Sequence, residues 1–172
     1  MLMSNAYRLK NLLTEEETQE FLNMAYETVL KDYHLDENGQ VWLRDGEQST
    51  NYLGAQVQVN RTIIKVAGKY GVNRISGSTL IKSRPNTQID WHTDPDTRQS
   101  MFTIPLTPGV REFHTEEGVF NYDFPVVCNT RVEHKGVYKG ESGEDSYVWQ
   151  FSTSEEWDSL IQRLRRRDLI VD

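Results

Sequence analysis

The chain has 172 residues, a net charge of −7 from 26 acidic and 19 basic side chains, and one cysteine, Cys128. That balance argues against a generic nucleic-acid-binding surface, and a lone cysteine excludes an intrachain disulfide or a Cys-rich metal cluster. No apolar run reaches membrane-spanning length and no basic-then-apolar leader opens the sequence, so the expectation is one intracellular, cytoplasmic domain over residues 1–172, large enough to fold without staples.

Thr14-Glu15-Glu16-Glu17 has the form of a capping box: a Thr N-cap, a Glu three residues on, and acids where the helix dipole favours them. The helix that follows is predicted to carry Leu22, Ala25, Tyr26, Val29, Leu30 and Tyr33 as its apolar stripe, ending at the turn Asp36-Glu37-Asn38-Gly39. His34, at that end, reads as a dipole partner rather than a ligand. Residues 40–52, with Trp42, read as a loop or short strand. A second helix is predicted over about 54–70, with Val59, Ile63, Val66 and Tyr70 on one face and Gly71 just past its end.

After Gly71 the pattern changes. β-Branched and aromatic residues recur over 75–84, 87–93, 100–106, 110–114, 118–123, 125–131, 135–139 and 146–152. Turn chemistry separates several of these segments, as in Arg84-Pro85-Asn86, Asp94-Pro95-Asp96, Thr107-Pro108-Gly109 and Gly140-Glu141-Ser142-Gly143. Short, closely spaced strands imply antiparallel sheet, and this number suits a jelly roll with its core at about 75–152. On the last strand Tyr147, Trp149 and Phe151 share a face expected to lie under a helix, leaving Ser146, Val148 and Gln150 to look into the barrel. A C-terminal helix is expected to begin at Ser152-Thr153-Ser154-Glu155, a second capping box, and to end in Arg163, Arg165, Arg166 and Arg167, cations that suit a last helical turn. The fold class is α+β, a jelly-roll core with two N-terminal helices and one C-terminal helix.

The chemistry concentrates in Gln88-Ile89-Asp90-Trp91-His92-Thr93-Asp94-Pro95. Alternation sends Gln88, Asp90, His92 and Asp94 to one face, with Ile89 and Trp91, a structural residue, on the other. A histidine and a carboxylate side by side on one face form two thirds of a 2-His-1-carboxylate metal site. His114 or His134 must complete it. The forty residues from Asp94 to His134 accommodate roughly four to five strands, enough to leave the sheet and return, which favours His134. The ligand atoms of His92, Asp94 and His134 should then lie within about 4 Å of one another.

Leu80 to Asp94, then Met101-Phe102-Thr103-Ile104-Pro105-Leu106, then His134 within Asn129 to Tyr138 together resemble the double-stranded β-helix core of the Fe(II)/2-oxoglutarate-dependent oxygenases, most closely their aspartyl/asparaginyl and prolyl hydroxylase-like branches. The resemblance implies His92, Asp94 and His134 as Fe(II) ligands, with 2-oxoglutarate taking two open positions, O₂ the third, and a nearby C–H bond hydroxylated; as substrate an amino acid or peptide side chain is favoured, with nucleobase and small metabolite left open. One departure stands out. Where the family carries a basic residue some ten positions after the distal histidine to hold the far carboxylate of 2-oxoglutarate, this chain has Glu144, Asp145 and Ser146. The substitutes are Arg98 first, then Arg111 and Arg131, and less readily Lys82 and Arg84, with Ser146 able to donate a hydroxyl hydrogen bond. Without such a base the alternatives are a cupin-like metal enzyme or a non-catalytic jelly roll.

Overall fold

The structure, a computed structural model, describes residues 4–28, 31–35, 41–43, 52–85, 87–89, 91–139 and 144–172. In chain order the elements are β1 (Ala6–Leu9), α1 (Glu15–Glu27), β2 (Lys31–Leu35), β3 (Val41–Leu43), β4 (Tyr52–Gln56), α2 (Arg61–Lys69), β5 (Gly77–Ser83), β6 (Thr87–Gln88), β7 (Ser100–Pro105), β8 (Arg111–Thr115), β9 (Gly118–Tyr122), β10 (Val126–Asn129), β11 (Lys135–Tyr138), β12 (Ser146–Thr153), α3 (Trp157–Arg166) and β13 (Ile170–Val171). They form two antiparallel sheets, one ordered β13-β1-β10-β7-β12-β5-β4-β2-β3 and the other β6-β11-β8-β9. The eight strands expected after Gly71 are β5 to β12. Four fall in each sheet, which is the double-stranded β-helix arrangement.

Alternation along the central strands of the larger sheet sorts their side chains between two environments. On the outer face Phe151 stacks on Phe102 and on Trp149, each at 4.6 Å, and Trp149 stacks on Phe21 of α1 at 4.3 Å. Tyr70, at the end of α2, and Leu160 and Leu164 of α3 close over the same layer. Each fully buried side chain of this size contributes roughly 1.5–3 kcal/mol through the water it excludes. On the inner face Thr79, Ile81, Thr103, Ser146, Val148 and Gln150 line a cavity between the sheets. The predicted division of β12 into an aromatic outer face and a mixed inner face is therefore observed.

Several elements differ from expectation. Helix α1 stops at Glu27, because Thr28 adopts an extended backbone and turns its hydroxyl back to donate to the Met24 carbonyl at 2.6 Å. Residues 31–35 are strand β2, so the helical stripe ended before Tyr33; its buried face is Glu17, Phe21 and Ala25, while Tyr26 is 60% exposed. Residues 29 and 30 and the turn at 36–39 lie outside the described residues. Helix α2 begins only at Arg61, where the Asn60 side chain accepts the Ile63 amide at 2.9 Å, and residues 54–56 belong to β4. Val59 accordingly precedes the helix and is 45% exposed.

Helix α3 starts at Trp157 rather than at the second capping box, since Ser152 and Thr153 stay paired in β12 with Met101 and Ser100. The segment 87–93 keeps only Thr87–Gln88 as strand, followed by an isolated bridge at His92. Asp90 and the turn at 140–143 lie outside the described residues.

Candidate metal centre

His92 and His134 are cross-strand partners. Each amide donates to the other's carbonyl at 2.9 Å, the closely spaced pair of an antiparallel ladder, which places both side chains on one face. Two residues on, the Asp94 amide donates to Thr130 O at 2.9 Å, keeping the carboxylate on that face. The predicted Asp94-Pro95-Asp96 turn closes with Arg98 N donating to Pro95 O at 2.8 Å.

The three side chains converge. Asp94 Oδ1 lies 3.4 Å from His92 Nε2 and 3.8 Å from His134 Nε2, and one ligand atom from each residue falls within 4.8 Å of the others, slightly wider than the expected 4 Å. Asp94 and His134 are buried and His92 is half-buried. His134 Nδ1 sits 2.8 Å from Val132 O; a carbonyl only accepts, so Nδ1 carries the proton and Nε2 offers its lone pair toward Asp94. Burial, together with the neighbouring His92, holds the His134 pKa below the usual imidazole value despite the opposing effects of Asp94 and the Val132 carbonyl. Its neutral form is the one that ligates.

This donor set fits a divalent cation. Two imidazole nitrogens and a carboxylate oxygen are donor types that bind one divalent ion, and here all three lie within 4.8 Å of one another. His114 does not take part. It pairs with Glu112, Nε2 to Oε1 2.9 Å, and its ring meets Trp91 edge-on at 6.5 Å. Trp91, expected to be structural, is instead 45% exposed, with Lys135 over its ring at 5.6 Å. Cys128 is buried, and burial followed by the charge on Asp94 pushes its thiol above the ordinary range, so it stays protonated.

The basic candidates separate clearly. The cavity, about 150 Å³, is lined by His92, Asp94 and His134 and also by Arg111, Ser146 and Arg98. Arg111 is 3% exposed; its Nε and Nη2 donate to Ser146 Oγ at 2.9 and 2.5 Å, Nη1 to Gly109 O at 2.7 Å and Nη2 to Thr107 O at 3.0 Å. It also lies over the Tyr138 ring at 5.5 Å. All these partners are neutral, and among the described residues no carboxylate pairs with Arg111.

Arg131 instead turns to the rim, where it pairs with Asp96 at 2.6 Å and donates to the Asp94 carbonyl. Lys82 pairs with Asp145 at 3.4 Å. Arg98 precedes β7 in a turn rather than extending that strand. Two contributors were not foreseen: Thr130, whose backbone and hydroxyl tie down Asp94 and Arg98, and the Val132 carbonyl that fixes the His134 tautomer. Neither leaves a sequence signal, since both depend on register.

No family model and no curated protein sequence matches the chain. Its fold does match solved structures. The collagen prolyl hydroxylase of Paramecium bursaria Chlorella virus-1, in its 2-oxoglutarate complex, is 11% identical with a TM-score of 0.57, covering 87% of this chain and 95% of that one. A Trichoplax adhaerens prolyl hydroxylase in complex with a hypoxia inducible factor peptide is 16% identical at 0.57, covering 88% and 84%. HygX from Streptomyces hygroscopicus, with nickel and 2-oxoglutarate bound, is 8% identical at 0.58, covering 86% and 82%. The chain thus shares its fold with these solved structures, and the resemblance first carried by its motifs extends to the architecture. Among the described residues no helix is long and apolar enough to cross a membrane.

Proposed function

We propose that the protein is a non-haem Fe(II)- and 2-oxoglutarate-dependent oxygenase that hydroxylates an amino acid, a peptide side chain or a related small molecule. The observation that carries this is one cavity lined both by His92, Asp94 and His134 and by a buried arginine, Arg111, that has no anionic partner among the described residues. A buried guanidinium held only by neutral acceptors calls for an anion, because an uncompensated charge in a low-dielectric site is costly. The far carboxylate of 2-oxoglutarate meets that requirement. Arg111 thereby supplies from β8 the base that positions 144–146 lack, removing the main argument for a non-catalytic barrel.

In this role His92, Asp94 and His134 would hold Fe(II), with Asp94 offsetting part of its charge. When bound, the iron supplies the redox chemistry that couples decarboxylation of the keto acid to hydroxylation of the substrate. Val132 keeps His134 oriented through Nδ1, and Ser146 keeps Arg111 aimed into the cavity through two hydrogen bonds. The side chains of Ile81 and Val148 add apolar wall to the same cavity.

Anaerobic titration of the Fe(II)-loaded protein with 2-oxoglutarate tests the proposal. The expected result is a weak visible charge-transfer band from the chelated keto acid, present in the parent and absent in Arg111→Met. Fe(II) binding without that band in the parent would point to a metal-binding barrel that does not use 2-oxoglutarate.

A further inference from the structure

Arg98 is a second cation on the wall of the same cavity. Its backbone is pinned, the amide donating to Pro95 O at 2.8 Å and the carbonyl accepting the Thr130 hydroxyl at 2.9 Å. The side chain extends across Gly77, where an added methyl would stand 3.7 Å from Arg98 Nε and 3.8 Å from Nη2. Gly77 faces Ser152 across the ladder, and Ser83 faces Ser146, the residue that holds Arg111. Six residues along β12, at about 3.3 Å each, set these anchor points roughly 20 Å apart. The two arginines therefore enter the cavity from opposite ends. Asp96, two residues before Arg98, does not neutralise it, since it pairs with Arg131 at 2.6 Å. Among the described residues its guanidinium has no hydrogen-bonded or ionic partner.

We infer that Arg98 receives a carboxylate of the substrate, so that the site selects carboxylic acids. This role rests on the function proposed above, in which Arg111 takes the keto acid. The charge count then favours a singly charged acid group. A divalent metal, Asp94, doubly charged 2-oxoglutarate, Arg111 and Arg98 sum to one net positive charge, which a carboxylate cancels and a phosphate dianion would overshoot. The planar fork of a guanidinium matches the two oxygens of a carboxylate. Placed at the end opposite Arg111, it would hold the substrate by its acid group and leave the rest of the molecule to lie against the metal residues.

The test uses protein loaded with Mn(II) and 2-oxoglutarate. Free L-amino acids, each beside its own carboxamide, are screened by the broadening that the paramagnetic ion imposes on the NMR lines of a bound molecule. At least one acid is expected to bind, with its carboxamide at least ten-fold weaker. Arg98→Gln should bring the acid down to the level of the amide, Arg98→Lys should restore part of the preference, and 2-oxoglutarate affinity should stay within two-fold of the parent in both. Absence of any bound acid, or an acid-over-amide preference that survives in Arg98→Gln, overturns the inference. Loss of 2-oxoglutarate binding in Arg98→Gln overturns it too, by giving Arg98 the keto acid. Failure of the parent to bind 2-oxoglutarate would instead sink the proposed function, and the parent-to-Arg98→Gln comparison of acid with amide would still decide the role of Arg98.

Discussion

His92 and His134 face each other as a hydrogen-bonded cross-strand pair, amide to carbonyl at 2.9 Å in both directions, with ring centroids 4.3 Å apart. Backbone pairing alone therefore brings together two ligands separated by 42 positions in sequence. Because the barrel and not the metal makes this arrangement, His92→Ala is expected to abolish retention of Fe(II) or Zn(II) while leaving a cooperative unfolding transition. Its stability without metal should match that of the metal-free parent to within about 1 kcal/mol, since a bound ion contributes only through linkage. Metal analysis after gel filtration and a urea melt decide it, and equal metal content in variant and parent would remove His92 from the ligand set.

Away from the cavity, Glu17 ties α1 to α2. Its Oε1 accepts the Thr14 amide at 3.0 Å and Lys69 Nζ at 2.5 Å, and Lys65 Nζ lies 3.6 Å from Oε2. Burial alone would raise its pKa, but the Lys69 hydrogen bond, the capping amide and the two ammonium charges outweigh burial and bring it from 4.5 to about 2. Between those values the unfolded chain binds more protons than the folded one, so stability is full above about pH 5 and falls as the pH drops toward 2. The group accounts for up to roughly 3 kcal/mol over that window. Urea melts across the window should show a shallower acid dependence in Glu17→Gln, together with lower stability at pH 7; parallel pH profiles would mean that the ion pair contributes little.

Gly71 carries φ +76°, and an added Cβ would collide with Arg163 Nη1 and Arg167 Nη1. Arg163 Nη1 also donates to Tyr70 O at 3.4 Å, at the C-terminus of α2. Gly71→Ala therefore strains the left-handed backbone and displaces two guanidiniums from a helix end that favours cations. A cost of about 1–2 kcal/mol is expected in chemical denaturation, with Gly71→Asn less damaging because Asn tolerates that backbone.

These cases show which features a sequence can carry. Gly71 and the Thr14 capping box were readable because their causes are local. β5 and β7 to β12 were readable because alternation and turn chemistry agree along each strand. Strand β2 was mistaken for helix because Tyr33 fell on a 3.6-residue period by coincidence, while the Thr28 hydroxyl had already ended the helix. Strands β1 and β13 are only four and two residues long, too short for a period to register, and they exist because they pair with β10 and with each other. The arginines were the hardest to rank. Arg98, Arg111 and Arg131 are alike as letters, and what distinguishes them is the arrangement in space that puts Ser146 beside Arg111 and Asp96 beside Arg131.

Ser146 occupies a position where the resemblance leads one to expect a base, and it touches Arg111 through two hydrogen bonds. Ser146→Ala should keep metal affinity unchanged and weaken 2-oxoglutarate by about five- to ten-fold, the equivalent of roughly 1–1.4 kcal/mol for a less well-oriented guanidinium. Calorimetric titration of the metal-loaded protein measures both quantities; unchanged keto-acid affinity would mean that Gly109 and Thr107 hold Arg111 without help.

Arg111 itself separates ligand binding from folding. Burial pushes its pKa down, with Tyr122, Tyr138 and Asp123 opposing, yet a guanidinium starts so high that it stays charged. In the parent, 2-oxoglutarate at a hundred times its Kd should raise the unfolding free energy of the metal-loaded protein by about 2.7 kcal/mol, because the ligand binds only the folded state. Arg111→Met keeps the length of the side chain and removes the charge, so Fe(II) should still bind and stabilise while added 2-oxoglutarate does nothing at the same concentration. Arg111→Lys keeps the charge but loses the fork, and should recover part of the effect. Thermal melts of the three proteins, each with and without metal and keto acid, read out every arm. Equal stabilisation of parent and Arg111→Met by 2-oxoglutarate would mean that another cation holds its far carboxylate.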